Sequence, residues 1–266
     1  HITCTKVTSA LEASAEYADV EYVRMFTDEG RDDKTWDMAI SAAEKADVAV
    51  VFAGLPTSYE SEGFDRSHLN LPDYQEEAIE AIAAVQPNLV VVLHNGSPVT
   101  LRNIDKIKGL LEMYLAGQAV GGAAADILFG EVNPSGKLAE TFPLRLEDNP
   151  TYPDYAKNKT EVRYSEGQYI GYRYYDSRNM DVLFPFGHGL SYTSFKLKNL
   201  RISAEKIKED DSLTVSVDIK NTGVRAGKEV IQLYIGYDGE DHVGRPVRQL
   251  KGFEKVRLEP GEIKTV

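Results

Sequence analysis

Ala46-Asp-Val-Ala-Val-Val-Phe-Ala-Gly-Leu55 is the stretch on which the fold turns. Its apolar run from Val48 to Leu55 is continuous, not alternating, which is the pattern of a parallel-sheet strand buried on both faces. Just upstream, Thr35–Lys45 reads as a short amphipathic helix, with Trp36, Ala39, Ile40 and Ala43 recurring at helical spacing. Downstream, Pro72–Val85 repeats that period through Tyr74, Ala78, Ile79 and Ile82. Two more strand-like runs follow, Asn88–His94 before Asn95-Gly96 and Leu110–Leu115 before Gly117, and then a small-residue helix over Ala119–Phe129. Strand and helix in this rhythm predict βαβ units: an α/β sandwich domain over 1–145, its mostly parallel sheet carrying helices on both faces.

The character of the sequence changes after that. Residues 146–193 are rich in Pro, Tyr, Asn and Gly and keep no clear period, so they read as a long connection, ordered by its many aromatic residues. From Ser194 the period becomes two. Leu213, Val215, Val217 and Ile219 fall on one face, Asn221-Thr-Gly223 makes a turn, Glu229–Ile235 is a second strand, and Pro260-Gly261 turns the chain into Ile263–Val266. Short strands between regular turns predict an all-β sandwich over 194–266. Such a sandwich needs about seven strands, so the four or five legible here predict an incomplete one.

With 266 residues, a net charge of −12 and ordinary shares of apolar and charged residues, the chain has the composition of a globular protein. The acidity argues against nucleic acid and against an anionic membrane, both of which call for clustered Lys and Arg. No run approaches the roughly 20 apolar residues of a membrane helix. The single Cys4 excludes an internal disulfide and a multi-cysteine metal cluster, and five scattered His give no metal-ligand spacing. No cofactor is expected, and the absence of a targeting segment leaves the compartment, cytoplasmic or secreted, undecided. Asn95-Gly-Ser97 and Asn158-Lys-Thr160 match the glycosylation tripeptide, a pattern that arises often by chance.

The chemistry is concentrated in Tyr59-Glu-Ser-Glu-Gly-Phe-Asp-Arg66, which follows the first apolar run. Open α/β sheets place ligands at the carboxyl ends of their strands, and a carboxylate on such a loop can act as a general acid. Glu60 and Glu62 compete for that role; Glu62 precedes Gly63, which lets backbone approach a ligand closely. Asp65 and Arg66 are suited to shape the loop by pairing, or to touch substrate. Tyr59 is suited to stack on a ligand ring, or to sit at the edge of the core. Gly117-Gln-Ala-Val-Gly-Gly122 lacks the Lys of a phosphate loop and fits close helix–sheet packing. Ser97 lacks the context of a nucleophile elbow and reads as part of a turn; His188, between two glycines, reads as a structural histidine in an aromatic turn.

Several stretches in order resemble family 3 of the glycoside hydrolases. Glu62-Gly-Phe-Asp-Arg66 resembles the family's acid/base segment, and Gly136-Lys-Leu-Ala-Glu-Thr-Phe-Pro143 its G-K-L-P-x-T-F-P segment, with Ala139 where proline is usual. Tyr164–Tyr175 resembles its Y-x-E-G-x-x-x-G-Y-R-Y-Y segment, Leu183–Thr193 its L-F-P-F-G-H-G-L-S-Y-T segment, and Arg245–Phe253 its fibronectin-III-like domain. The resemblance implies a retaining β-glycosidase acting on a terminal β-linked glucoside or oligosaccharide, with β-xylosidase as the alternative. It implies Glu62 as general acid/base, with Tyr59, Asp65 and Arg66 as candidate substrate contacts. The nucleophile of that family is an Asp on a (β/α)₈ barrel. About 145 residues of βαβ pattern fall short of the roughly 250 such a barrel takes, so the barrel domain is expected elsewhere in the same protein, with His1 and Val266 as cuts through a longer chain. A non-catalytic carbohydrate-binding or scaffolding fragment is the reading from a different class; a poised acid on the Glu62 loop argues against it.

Overall fold

A computed structural model of the chain describes residues 9–63, 65–157, 160–208, 210–237 and 244–266; Cys4, Phe64 and Asn158 lie outside these. The chain divides into two compact units, one of residues 1–129, 142–165 and 181–183, the other of residues 130–141, 166–180 and 184–266.

The first unit opens with α1 (Ala10–Ser14), started by a capping box in which Ser9 and Glu12 bond each other's backbone N–H. A small hairpin of β1 (Phe26–Thr27) and β2 (Gly30–Arg31) precedes α2 (Trp36–Lys45). The sheet follows: β3 (Ala49–Gly54), α3 (Asp73–Val85), β4 (Leu89–His94), β5 (Gly109–Glu112) and α4 (Val120–Leu128). The three strands run parallel in the order β3-β4-β5. Side chains alternate across a strand, so Val51, Ala53, Leu89, Val91 and Leu93 share one face. They pack with Trp36, Ala39, Ala43, Ala78, Ile79 and Ile82 of α2 and α3 into the main core. Val120 and Gly121 of α4 instead line a small cavity with Phe52 and His94, which point to the other face.

β3 is not buried on both faces: Val50 is 39% and Phe52 38% exposed, because β3 is an edge strand of this sheet and α2 and α3 cover only its inner face. The Asn95 tripeptide is likewise no glycosylation acceptor as folded, since Asn95 is fully buried and its amide nitrogen is hydrogen-bonded.

The aromatic-rich connection contains more regular structure than its composition predicts. Beyond β6 (Phe142–Pro143) it holds α5 (Tyr172–Arg178) and β7 (Val182–Phe184). In the second unit α5 ends at Asn179 in the left-handed conformation, φ 50°. The Tyr172 ring stacks on Phe186 at 4.7 Å, its hydroxyl accepts from the Leu250 N–H at 2.7 Å, and Asp176 pairs with Arg248 at 2.7 Å. His188 stacks on Phe184 at 5.2 Å, and burial and the nearby Lys137 hold its pKa below the usual range.

The rest of this unit is antiparallel. Strands β8 (Phe195–Ile202), β9 (Val215–Asn221) and β12 (Ile263–Thr265) form one sheet in the order β12-β9-β8, and β10 (Gly227–Gly236) pairs with β11 (Arg248–Leu258) in the other. Ile219, Val256 and Leu258, with Phe195, Ile231 and Val266 packed around them, form the core between these sheets. The alternation in the sequence corresponds to this sandwich.

Candidate active site

The site is built where β3, β4 and β5 end. At the last residue of β3, a side chain on Gly54 would place its Cβ 2.0 Å from the His94 carbonyl oxygen, so only glycine allows the two strands to stay paired there. The Leu55 N–H donates to that same oxygen at 3.1 Å, and the Gly54 N–H donates to the buried Gln75 side chain of α3 at 2.9 Å. The acidic loop therefore leaves the sheet in a fixed direction. Its first turn is closed by the Tyr59 and Glu60 N–H groups donating to the Pro56 carbonyl at 2.8 and 3.1 Å.

Glu60 reaches across to the loop after β4. Its carboxylate accepts from the Gly96 N–H and the Ser97 hydroxyl, both at 2.6 Å. Arg66, past the crest of the acidic loop, donates to the Ser97 Oγ at 3.0 Å and the Pro98 carbonyl at 2.7 Å. The receiving turn is braced in its own right: the Asn95 amide donates to the Ser97 carbonyl at 2.9 Å and to Glu112 at 3.1 Å. Glu112, at the end of β5, also accepts from the Tyr114 N–H at 2.8 Å. On the returning leg Thr100 donates from its N–H to Leu69 O and from its hydroxyl to Asn70 Oδ1, at 2.9 and 2.7 Å.

Glu62 stands between these anchors. It is exposed, and among the described residues its carboxylate has no hydrogen-bond or ion-pair partner. Gly63 beside it adopts φ +82°, a conformation an L side chain would strain. Asp65 accepts from the Tyr155 hydroxyl at 2.8 Å, a bond that pushes the Tyr155 phenol pKa above its usual 10.0. The Tyr59 ring meets His68 edge-on at 6.0 Å. At the sheet edge itself His94 stacks on Phe52 at 6.2 Å, and burial holds its pKa below 6.5. Among the described residues no group of His, Cys, Asp and Glu could hold a metal ion, and no helix is long and apolar enough to cross a membrane.

The fold thus brings Glu60, Glu62 and Arg66 onto one loop above the sheet, and Asp65 onto it beside Tyr155. Reading the sequence missed Ser97, Asn95, Glu112 and Tyr155. Asn95-Gly-Ser97 is visible in sequence only as a turn, and nothing local in it points to partners more than thirty residues away.

A parallel sheet with an anchored acidic loop at its carboxyl edge, followed in the chain by an antiparallel sandwich, is the architecture of an α/β module with an accessory β domain. Residues 2–192 match the glycosyl hydrolase family 3 C-terminal domain and residues 229–266 the fibronectin type III-like domain. The chain belongs to glycosyl hydrolase family 3. It is 51% identical over 272 residues to thermostable β-glucosidase B of Acetivibrio thermocellus, covering 100% of this chain and 36% of that protein. The crystal structure of a family 3 β-glucosidase from Bifidobacterium adolescentis superimposes with a TM-score of 0.93 at 41% identity, over 100% of this chain and 40% of that one. A β-glucosidase from Kluyveromyces marxianus, solved in complex with glucose, matches with a TM-score of 0.80 at 42% identity, over 88% of this chain and 28% of that one. The matches therefore cover between 28% and 40% of the length of these relatives.

Proposed function

We propose that this chain supplies the general acid/base of a retaining β-glucosidase, and that the residue is Glu62. The observation that carries the reading is the contrast within the loop. Glu60 is committed to two short hydrogen bonds, whereas Glu62, two residues on, is exposed and has no partner for its carboxyl group among the described residues. As acid, Glu62 would protonate the glycosidic oxygen while the bond to the anomeric carbon breaks; as base, it would take a proton from the water that attacks that carbon. The nucleophile is assigned to the barrel domain of the same protein, outside this chain. Tyr59, Asp65 and Arg66 form the wall beside the acid, with Asp65 and Arg66 holding the loop in shape. The names of the relatives favour a terminal β-D-glucosyl residue as substrate.

The test uses the full-length enzyme. Glu62→Ala should cripple hydrolysis of glucosides with poor leaving groups, while activated aryl glucosides still form the glycosyl-enzyme and stall there. Azide, a nucleophile needing no base, should then restore turnover and give the β-glucosyl azide. The same behaviour in Glu60→Ala, and not in Glu62→Ala, would move the assignment to Glu60.

A further inference from the structure

Ser97 is a hub whose two sides face the two ends of the acidic loop. Its hydroxyl donates to Glu60 Oε1 at 2.6 Å and accepts from Arg66 Nη2 at 3.0 Å. Those two residues bracket Glu62, so both legs of the arch that carries the acid converge on one hydroxyl group. The hub itself has little freedom. The Ser97 carbonyl is held by the fully buried Asn95 side chain, which is tied in turn to Glu112 on the next strand, and Arg66 also grips the Pro98 carbonyl. All these groups lie in the first unit.

We infer that Ser97 is a positioning residue for the acid/base: through Glu60 on one leg and Arg66 on the other, it sets where the Glu62 carboxyl group stands. This rests on the reading of Glu62 as the acid. Removing a mere surface hydroxyl would be neutral, and removing a purely structural one would lower stability alone. Removing this hub frees both legs of the arch at once. A general acid displaced by about 1 Å can lose as much as 100-fold in rate. The loss should depend on how much the leaving group needs a proton.

The experiment compares wild-type full-length enzyme with Ser97→Ala, Ser97→Thr, Glu60→Gln and Glu62→Ala, on a phenyl and a dinitrophenyl β-glucoside, with and without azide. Glu60→Gln keeps the length of the side chain but puts an amino group where one of the two acceptors stood. For Ser97→Ala the expected result is a kcat on the phenyl glucoside about tenfold or more below wild type. Its KM should stay within about twofold, the loss should shrink on the activated substrate, and azide should return part of it. Glu60→Gln should repeat that pattern, and Ser97→Thr, which keeps the hydroxyl, should recover most of the rate. Equal losses on both substrates, or a fall in Tm with kcat unchanged, would overturn the positioning role. If Ser97→Ala does not fold, the pattern in Glu60→Gln decides in the same way. Glu62→Ala separates the two claims. If it lacks leaving-group selectivity and azide rescue, the acid assignment itself fails; if it has both and the hub variants have neither, only the role of Ser97 falls.

Discussion

The Ser97 hydroxyl stands 2.6 Å from Glu60 Oε1 and so joins the loops after two neighbouring strands across 37 residues of sequence. That contact separates two glutamates that look alike on paper. Glu60 is partly buried and bonded; Glu62 is exposed and free of partners among the described residues.

Stability should register the difference before any catalysis is measured. Glu60→Ala leaves the Gly96 N–H and the Ser97 hydroxyl without their acceptor, at a cost of about 1–3 kcal/mol. Glu62→Ala removes no hydrogen bond or ion pair among the described residues and should stay within about 0.5 kcal/mol of the parent chain. Trp36, the only tryptophan and a core residue of the first unit, reports the transition by its fluorescence in urea. Equal effects of the two substitutions would mean that Glu60 does not anchor the loop.

In the second unit the comparable knot is Asn221, which is fully buried. Its Oδ1 accepts from the Thr193 hydroxyl and the Gly223 N–H at 2.8 and 3.1 Å, and its Nδ2 donates to the Arg225 and Leu258 carbonyls at 2.7 and 3.2 Å. The amide's capacity is thus filled by three segments of the sandwich. Asn221→Ala should destabilise this unit by roughly 2–4 kcal/mol, since several buried groups lose partners together. Amide hydrogen exchange along β9 and β11 should accelerate accordingly. Unchanged protection there would show that water replaces the side chain at no cost.

Much of this architecture was legible because it rests on local periodicity. The buried apolar residues of α2, α3 and β9 repeat at the helical or strand period, whereas the buried polar Gln75, Glu76 and Asn221 do not stand out by it. What periodicity lacks is the neighbour. The continuous run at β3 suggested burial on both sides, but Val50 and Phe52 are exposed because an edge position is a property of the sheet and not of the strand. Helix α5 was missed because seven residues span barely two turns and tyrosines on every side of it hide the 3.6 period. Glu62 stands out through its loop, whereas the bonds of Ser97 to Glu60 and Arg66 arise only on folding.

Two carboxylates should give the units opposite responses to pH. Burial raises the pKa of Glu76 in α3 above the usual 4.5, with the Arg102 N–H donating to it as a smaller counterweight. The folded state then holds this proton more tightly than the unfolded state, so its contribution to stability falls as pH rises from about 4.5 through the raised value. Glu76→Gln should flatten that slope and stabilise the first unit at pH 7, as seen in urea melts followed by Trp36. Asp218 has the reverse sign. Bonds from Arg201, and also from Asn199 and Thr265, hold its pKa well below the usual 3.8. Its contribution is complete above 3.8 and is lost as pH falls below that value through the depressed pKa. Asp218→Asn should therefore weaken β8 and β9 at neutral pH and converge with the parent chain in acid, as read by amide exchange; a constant gap across the range would exclude the linkage.

The chain by itself should be catalytically silent. Retaining hydrolysis places two carboxyl groups about 5–5.5 Å apart with the sugar between them, one protonating the leaving oxygen and the other attacking the anomeric carbon. Glu60 could not stand in as the second group, because its carboxylate is turned away into the Gly96 and Ser97 contacts. Glu112 is held at the end of β5 by Asn95 and the Tyr114 N–H, and Asp65 is held by Tyr155. An acid without its nucleophile also lacks the binding surface that aligns the sugar, and alignment is itself a large share of the rate. Incubation of the pure chain with an aryl β-glucoside should thus release aryl alcohol no faster than buffer does. Turnover that disappears on Glu62→Ala would show that this chain carries a complete catalytic pair, and the assignment of the nucleophile to a separate barrel would have to be given up.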